Sequence, residues 1–336
     1  MRKLLILTIL FLLTVFLMPI IFTKGFETKE VIANKETNEN IEVVDTETNI
    51  PYEYKSYGII KLLHKKTGGV EELNIDDYLL GVVSAEMPAD YEIEALKAQA
   101  IVARTYTIYT IKNSKKHEEA DICDDSTCCQ AWISKDDRLS RWDEADREEK
   151  WKRIENAVYS TEGKVITYEG EVIDAFFHSN SGGKTEEVSN VWGGSNMPYL
   201  QSVETSGEDA YSQYLSEVNF TKDEFEKKIK EKHTDFSINY DDLECIKVIE
   251  YTNGDRVKEV KIGNLNLSGV EVRSLLGLKS ANFTFELKDD EIKFTVKGYG
   301  HGVGMSQTGA NTLAKDGKTA EEIIKHFYTG VEINSI

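Results

Sequence analysis

Two predicted helices separated by a proline restrict the fold of this chain more than any other feature. The segment NIDDYLLGVVSAEM predicts a short helix with Asp76 or Asp77 as its N-cap. Pro88 ends this helix, because proline disfavours helical geometry in the residue before it. The next helix is predicted over Glu92–Asn113, and its four alanines between residues 95 and 103 let neighbouring elements approach closely. We therefore expect the second helix to be central.

The acid in this stretch is Glu86, at or near the end of the first predicted helix. Helix C-termini disfavour negative charge, and the apolar neighbours Val83 and Met87 reduce solvation. Both effects favour the protonated carboxyl, the form in which an acid donates a proton near neutral pH. The alternative is an exposed glutamate that weakens the helix end.

Two cations, Lys97 and Arg104, are seven residues apart on the second helix and therefore share a face. Cations on the inward face of a core helix need partners. Those partners are either structural carboxylates, or a ligand together with Glu86.

The net charge of −19 over 336 residues argues against nucleic acid as a partner, because phosphate binding uses clustered Lys and Arg. At the N-terminus, nineteen residues from Leu4 to Phe22 carry no charge, which is enough to span a bilayer. Arg2 and Lys3 place that end in the cytoplasm. Without a cleavage motif before Lys24, an uncleaved anchor is expected. The protein is then a single-pass cell-membrane protein with an extracytoplasmic catalytic domain.

The remaining pattern predicts an α+β fold with two lobes behind the anchor. The anchor covers residues 1–24, and a polar, aperiodic stretch at 25–56 is typical of a flexible stalk. A catalytic lobe of central helices and antiparallel strands is expected over 57–205, with 298–336 returning to it. A second mixed α/β lobe is expected over 206–297, with a hairpin turn at Asn253–Gly254.

A cysteine-rich loop lies between the second helix and the strands. His117, Cys123, Cys128 and Cys129 fall within thirteen residues and provide the nitrogen and sulfur ligands that zinc prefers. We expect zinc on His117, Cys123 and Cys129, with an open fourth position near the cleft and a role in ordering the loop. A disulfide from Cys123 to Cys128 or Cys129, or free thiols, are the alternatives.

Five segments of the chain occur in the order typical of one family. They are SAEMP with LKAQAIVARTY, CDDSTCCQAW, HSNSGGKTEEVSNVWGGSNMPYLQSVE, SGVEVRSLLGLKSANF and GYGHGVGMSQTGA. With this order behind an apolar N-terminus, the chain resembles the stage II sporulation protein D family over about residues 57–334. Members are lytic transglycosylases of sporulation, active during engulfment of the forespore.

The resemblance implies a substrate, a reaction and partners. The substrate is the peptidoglycan glycan strand, stripped of its stem peptides. The reaction cleaves the MurNAc-GlcNAc β-1,4 bond without water and leaves 1,6-anhydro-MurNAc ends. The implied partners are an amidase/endopeptidase of sporulation and a multi-spanning membrane protein. No cofactor is required for this chemistry.

The resemblance also assigns the acid. Glu86 occupies the position of the family's catalytic glutamate, and one carboxyl suffices as acid and then base because the substrate's C6 hydroxyl is the nucleophile. Arg104, in the ARTY motif, is expected to hold Glu86 or the sugar's acyl groups. Tyr199 falls in the family's sugar-contacting loop, and Gln201 stands where the family commonly has lysine. Further sugar contacts are expected from His178, Ser181 and Gln130.

Two other functions use the same residues. One is a non-catalytic peptidoglycan-binding module that activates a partner amidase, for which Glu86 is dispensable and Tyr199 is not. The other is a zinc hydrolase of the wall peptide, in which the histidine and cysteines are catalytic.

Overall fold

The structure is a computed structural model that describes residues 58–114 and 116–336. The predicted anchor and stalk lie outside the described residues. Within the described ranges, no helix has the length and apolar character needed to cross a membrane. The described residues belong to one compact unit.

The first half of the described chain contains helices and short strands, in agreement with the predicted α+β class. In chain order they are β1 Ile59–Leu63, β2 Val70–Asn74, α1 Ile75–Glu86, α2 Ile93–Asn113, β3 Ile122–Cys123, α3 Lys135–Ser140, α4 Arg147–Tyr159, β4 Lys164–Tyr168, β5 Glu171–Val172, β6 Phe177–His178 and α5 Val188–Trp192.

The second half is richer in strands and begins after a short 3₁₀ turn. Its elements are β7 Leu215–Thr221, α6 Lys222–Lys230, β8 Ile246–Tyr251, β9 Val257–Ile262, β10 Leu265–Ser268, α7 Gly269–Leu276, β11 Phe283–Lys288, β12 Glu291–Lys297, β13 Met305–Ser306, α8 Gln307–Lys315, α9 Ala320–Phe327 and β14 Glu332–Ser335.

Two of the antiparallel hairpins are β1–β2 and β8–β9, and the second of them confirms the predicted turn at Asn253–Gly254. β1 and β2 pair antiparallel from Ile59 opposite Asn74 to Leu63 opposite Val70. β8 and β9 also pair antiparallel around the Asn253–Gly254 turn. Most strand pairs are antiparallel, but β1 pairs with β3 and β6 with β13 in parallel. The second of these parallel pairs joins the HSNSGG segment to the glycine-rich segment near the C-terminus.

Helix α2 is central, as predicted. It packs against α1, α4, α8, α9 and β4. Its alanines Ala95, Ala98, Ala100 and Ala103 are fully buried, so these neighbours lie close to the helix backbone. The large hydrophobic cluster that surrounds α2 includes side chains from residues 60 to 331. The N- and C-terminal parts of the described chain therefore share one core.

A second hydrophobic cluster is formed by side chains between Phe220 and Val296. Its centre is the three-stranded sheet β11-β12-β7, on which Phe294 contacts Phe225, Phe283 and Phe285. Arg256, in the turn after β8, links this region to the HSNSGG segment by donating to the carbonyl oxygen of Ser181 at 2.9 Å. The domain boundaries given above stay a prediction.

Candidate functional site

Glu86 is the last residue of α1, as its position before Pro88 predicts. The helix begins at an N-cap formed by Asn74, whose side chain accepts a hydrogen bond from the Asp76 N–H, so the predicted cap at Asp76 or Asp77 is wrong. At the other end, Met87 is extended and its N–H still bonds to the carbonyl oxygen of Val83. The polypeptide thus leaves the helix directly after Glu86, and the carboxyl lies at the helix end.

Two neutral groups hold the Glu86 carboxyl. Oε1 accepts a hydrogen bond from the backbone N–H of Ala131 at 2.8 Å, and Oε2 accepts one from Nε2 of Gln307 at 3.2 Å. The side chain is only partly exposed. Burial raises the pKa of Glu86, and the two hydrogen bonds partly oppose this shift. The structure therefore favours a glutamic acid that retains its proton to a higher pH than an exposed one.

Gln307 reaches Glu86 because the glycine-rich segment ends in α8. Ser306 caps this helix by accepting from the N–H of Gly309, so Gln307 is its first residue. Its Nε2 also lies 3.5 Å from Oε1 of Gln99 on α2. At Gly304, φ is +71° and an added Cβ would lie 2.0 Å from the carbonyl oxygen of Phe176. Only glycine therefore permits the close approach that brings Gln307 to the acid.

The loop that supplies Ala131 is fixed by Gln130. Its Nε2 donates to Oη of Tyr78 on α1 at 2.9 Å and to Oγ1 of Thr107 on α2 at 2.8 Å. Gln130 is 1% exposed. It is therefore not positioned to touch a sugar, contrary to our expectation. Its contacts instead anchor the loop whose next residue holds Glu86.

Arg104 does not make the contacts that were predicted for it. The guanidinium is fully buried and forms an ion pair with Asp76 at 2.9 Å. It also donates to the carbonyl oxygens of Thr161, Val158 and Lys164 at 2.7, 3.2 and 3.3 Å. Arg104 is therefore not positioned to contact Glu86 or a substrate. Of the two kinds of partner that the sequence left open for Arg104, the structure shows a structural carboxylate, Asp76.

Lys97, the second cation on that face, is paired with Glu94 one turn away, at 2.8 Å. Asp90, in the turn before α2, lies 3.5 Å from Lys150 on α4. Both contacts are structural and leave Glu86 with neutral hydrogen-bonding partners.

His178 and Ser181 are also interior. His178 is 4% exposed, its Nδ1 lies 3.1 Å from the carbonyl oxygen of Val303, and burial lowers its pKa to about 3. Ser181 is fully buried, and its hydroxyl contacts the carboxylate of Glu208. Glu208 also accepts hydrogen bonds from Ser306 and Thr308. These hydrogen bonds connect the HSNSGG segment to the glycine-rich segment. His178 and Ser181 are therefore not positioned for the expected sugar contacts.

Tyr199 is the one predicted sugar-contacting residue with a partly exposed side chain. Its hydroxyl accepts from the N–H of Asp174 at 3.3 Å and donates to the sulfur of Met197 at 3.2 Å. Burial raises its pKa to about 12, so the phenol stays neutral at physiological pH. Gln201 donates to the carbonyl oxygens of Met197 and Pro198, and so fixes the turn that carries Tyr199.

The predicted metal ligands converge. One donor atom from each of His117, Cys123, Cys128 and Cys129 lies within 4.8 Å of the others. Nε2 of His117 is 3.6 Å from Sγ of Cys129 and 3.8 Å from Sγ of Cys128. Cysteine thiols and one imidazole are a donor set that fits Zn²⁺. All four cysteines of the chain are unpaired in the structure.

Cys128 was not among our expected zinc ligands, because adjacent cysteines rarely both bind one ion. The structure nevertheless places its sulfur in the cluster. Four protein donors would close the coordination shell of a tetrahedral ion, whereas our expectation had an open fourth position.

A family profile described as "Stage II sporulation protein" matches residues 63–168, which include Glu86, α2 and the cysteine loop. The chain is 37% identical over 268 residues to "Stage II sporulation protein D" of Bacillus subtilis (strain 168), covering 79% of this chain and 76% of the relative. The chain belongs to the stage II sporulation protein D family. It is a sporulation-family protein, as its sequence segments predict.

Two other relatives widen the comparison. An uncharacterized protein of Brachyspira hyodysenteriae is 32% identical over 268 residues, covering 79% of this chain and 67% of the relative. The "Amidase enhancer" of Bacillus subtilis (strain 168) is 29% identical over 306 residues, covering 76% of this chain and 40% of that relative. The family scaffold is thus also similar to a protein whose name refers to amidase activity.

Sequence reasoning missed Gln307 and Ala131, although both contact the family's predicted acid. Nothing in the sequence identifies Ala131 as a partner of Glu86, because its backbone N–H, and not its side chain, makes the contact. Gln307 had a weak signal, since it lies in the segment GYGHGVGMSQTGA, whose glycines allow close backbone approach. The glutamine side chain within it was the polar group to examine.

Proposed function

We propose that this protein is a lytic transglycosylase of sporulation. Its substrate would be the peptide-stripped glycan strand of peptidoglycan. One observation carries the proposal: a partly buried glutamic acid, Glu86, whose carboxyl is held by two neutral donors, Ala131 and Gln307. Among the described residues, no cation is hydrogen-bonded or ion-paired to Glu86. Burial therefore raises the pKa of this carboxyl without an opposing positive charge.

The reaction needs a single acid. Glu86 donates its proton to the glycosidic oxygen as the bond from C1 to that oxygen breaks. The C6 hydroxyl of the same sugar then bonds to C1 and returns its proton to the Glu86 carboxylate. The products are a free hydroxyl on one fragment and a 1,6-anhydro ring on the other, with no water consumed. Hydrogen bonds to both carboxyl oxygens hold the group in one orientation through both transfers.

A mutation tests the role of the acid. Glu86→Gln keeps the shape of the side chain but removes the transferable proton, and we expect turnover of peptide-stripped glycan to fall by about 10²–10⁴-fold. Mass analysis of the products measures anhydro ends. Glu162→Gln, an exposed glutamate changed in the same way, is the matched control and should keep full activity. Wild-type turnover by Glu86→Gln would overturn the assignment.

The relative named "Amidase enhancer" favours a second candidate, a wall-binding protein that activates a partner amidase. This function needs no proton transfer, so Glu86→Gln would keep it intact. Release of peptides from cross-linked wall by a sporulation amidase, with and without this protein, measures it. Amidase stimulation without any new anhydro ends would favour this candidate over the transglycosylase.

Zinc is proposed as a structural ion of the cysteine loop. His117, Cys123, Cys128 and Cys129 would hold it, and it would supply rigidity to the loop that presents the Ala131 N–H to Glu86. The four donors argue against the zinc-hydrolase alternative, because catalytic zinc sites keep one position open. A hydrolase would also leave reducing sugar ends or free amino groups, which the same mass analysis detects.

A further inference from the structure

Asp174 is a second partly buried acid that the proposed chemistry does not use. It follows β5 and precedes β6, and its side chain is partly exposed. Its Oδ1 is buried without a hydrogen-bond partner among the described residues. Burial raises the pKa of this carboxyl to about 7. An unsatisfied buried oxygen costs free energy, and a protein retains such a group most readily where a ligand completes its hydrogen bonds.

Tyrosines surround this acid. The Asp174 N–H donates to the hydroxyl of Tyr199 at 3.3 Å. Tyr106 and Tyr109 of α2 also lie close enough for the Asp174 charge to raise their pKa values, though burial is the larger cause for both. Tyr109 and Tyr199 are partly exposed. A partly exposed phenol ring offers an apolar face on which a sugar ring can pack, while the neighbouring carboxyl can meet the sugar hydroxyls.

Lys116, the positive charge that acts on Asp174, already has a hydrogen-bonding partner. Lys116 lowers the pKa of Asp174, but its Nζ donates to the carbonyl oxygen of Cys128 at 2.9 Å and forms no ion pair with the acid. The carboxyl is thus left with unused hydrogen-bonding capacity beside the cysteine loop.

The same loop connects this acid to Glu86. Tyr106 lies close enough to both Asp174 and Cys129 for their charges to raise its pKa. Cys129 is two residues before Ala131, which donates to Glu86. A glycan strand is long, so it can occupy a position at Asp174 while one of its glycosidic bonds lies at Glu86.

An aromatic surface extends from the same position. Phe176 is 6.2 Å from Tyr106 and 4.7 Å from Trp192, measured between ring centroids. Trp192 is 52% exposed, and His301 supports its ring at 5.0 Å. A half-exposed tryptophan held by two rings offers a rigid apolar face to a sugar.

We propose that Asp174, with Tyr109 and Tyr199, forms a sugar-binding subsite for the glycan strand. The Asp174 carboxyl hydrogen-bonds to a hydroxyl or acetamido group of an amino sugar. This inference rests on the proposed function for its ligand, but it assigns Asp174 to binding and not to proton transfer.

Two variants test the subsite. Asp174→Ala removes the hydrogen-bonding group, and we expect KM for peptide-stripped glycan to rise about 10-fold while kcat stays within about threefold. Asp174→Asn keeps hydrogen-bonding capacity and should rescue most of the KM. Asp241→Ala, at an exposed aspartate of the second cluster region, is the control for loss of one negative charge.

A binding measurement separates the subsite from catalysis. In the Glu86→Gln background, a tetrasaccharide of alternating GlcNAc and MurNAc should bind about 10-fold more weakly when Asp174→Ala is added. Equal binding, or a loss in kcat with unchanged KM, would overturn the subsite. A wild-type protein that binds this sugar but forms no anhydro ends would refute the proposed reaction and leave the subsite supported.

Thermal stability gives a readout that a structural role would not produce. The folded protein holds the Asp174 proton more tightly than the unfolded chain, so this carboxyl destabilises the fold increasingly as pH rises from about 4 to about 7. Lys116 opposes this effect, and the neighbouring tyrosines stay neutral in that range. We expect the Tm of Asp174→Asn to exceed that of the wild type above pH 7. A lower Tm would indicate a structural acid and contradict the proposal.

Discussion

Single residues decide how Glu86 is tuned. Its two partners, Ala131 and Gln307, are neutral, and each hydrogen bond stabilises the ionised form against the larger effect of burial. An arginine in the place of Gln307 would ionise the acid and weaken it as a proton donor. The burial of Arg104, away from Glu86, is therefore compatible with acid catalysis.

Removal of the Gln307 amide should move the pH dependence of activity. Gln307→Ala deletes a hydrogen bond that lowers the pKa of Glu86, so we expect the basic limb of the pH profile to shift to higher pH. Turnover should fall about 10-fold, because the carboxyl loses one of the two groups that orient it. Initial rates of anhydro-end formation between pH 4 and 9 measure both effects. Gln213→Ala should leave the profile unchanged, and an unshifted profile for Gln307→Ala would contradict this account of the acid.

Helices α1, α2 and α4 are joined at one buried ion pair. Arg104 extends from α2 to Asp76 in the first turn of α1 and to carbonyl oxygens at and beyond the end of α4. The carbonyl oxygen of Val158 also accepts from the N–H of Thr161, and that of Thr161 from the N–H of Lys164, so the guanidinium reinforces the turn that ends α4. The position of Glu86 at the other end of α1 depends on this junction.

Loss of this junction should destabilise the fold strongly. Arg104→Ala removes the buried cation that is ion-paired with Asp76, and we expect the free energy of unfolding to fall by about 3–5 kcal/mol. Arg104→Lys should rescue little, because one ammonium group cannot reach partners on three elements. Urea unfolding followed by circular dichroism measures the change, with the exposed Arg141→Ala as control. Normal stability with loss of glycan affinity would restore Arg104 as a substrate contact.

The elements themselves were largely predictable, whereas the partners of polar side chains were not. The pattern of apolar residues and Pro88 located α1 and α2 within one or two residues of their bounds. Arg104, Gln130, His178 and Ser181 are polar residues in motifs, and the sequence does not distinguish a buried network from a sugar contact. Apart from contacts within short turns, the hydrogen-bond partners of these four residues lie at least 23 residues away along the chain. Local sequence patterns therefore do not reveal these partners.

At the scale of the whole molecule, the proposed zinc ion of the cysteine loop would be an independent source of order. This loop contains little regular structure, yet it presents Ala131 to Glu86 and lies beside Asp174. Four donors drawn from residues 117–129 give a metal ion the means to fix it. Metal binding would then stabilise the folded chain, because the unfolded chain has no preformed site.

Zinc removal should lower the stability of the whole protein. We expect about one zinc per chain by mass spectrometry of the native protein, and a fall of several degrees in Tm after chelation. Cys123→Ser should abolish zinc binding, whereas Cys245→Ser, at a buried cysteine outside the cluster, should retain it. Glu86→Gln should also retain it. A Cys123 cross-link without zinc would instead establish the disulfide.

The hydrogen bond from Gln307 to Glu86 spans 221 residues of sequence. Synthesis proceeds from the N-terminus, so most of the polypeptide has emerged before the acid acquires this partner. Until then, α2 also lacks α8 and α9, which complete its packing. A nascent or prematurely terminated chain would therefore carry Glu86 in an unassembled site. The order of synthesis thus delays assembly of the Glu86 site until α8 has been made.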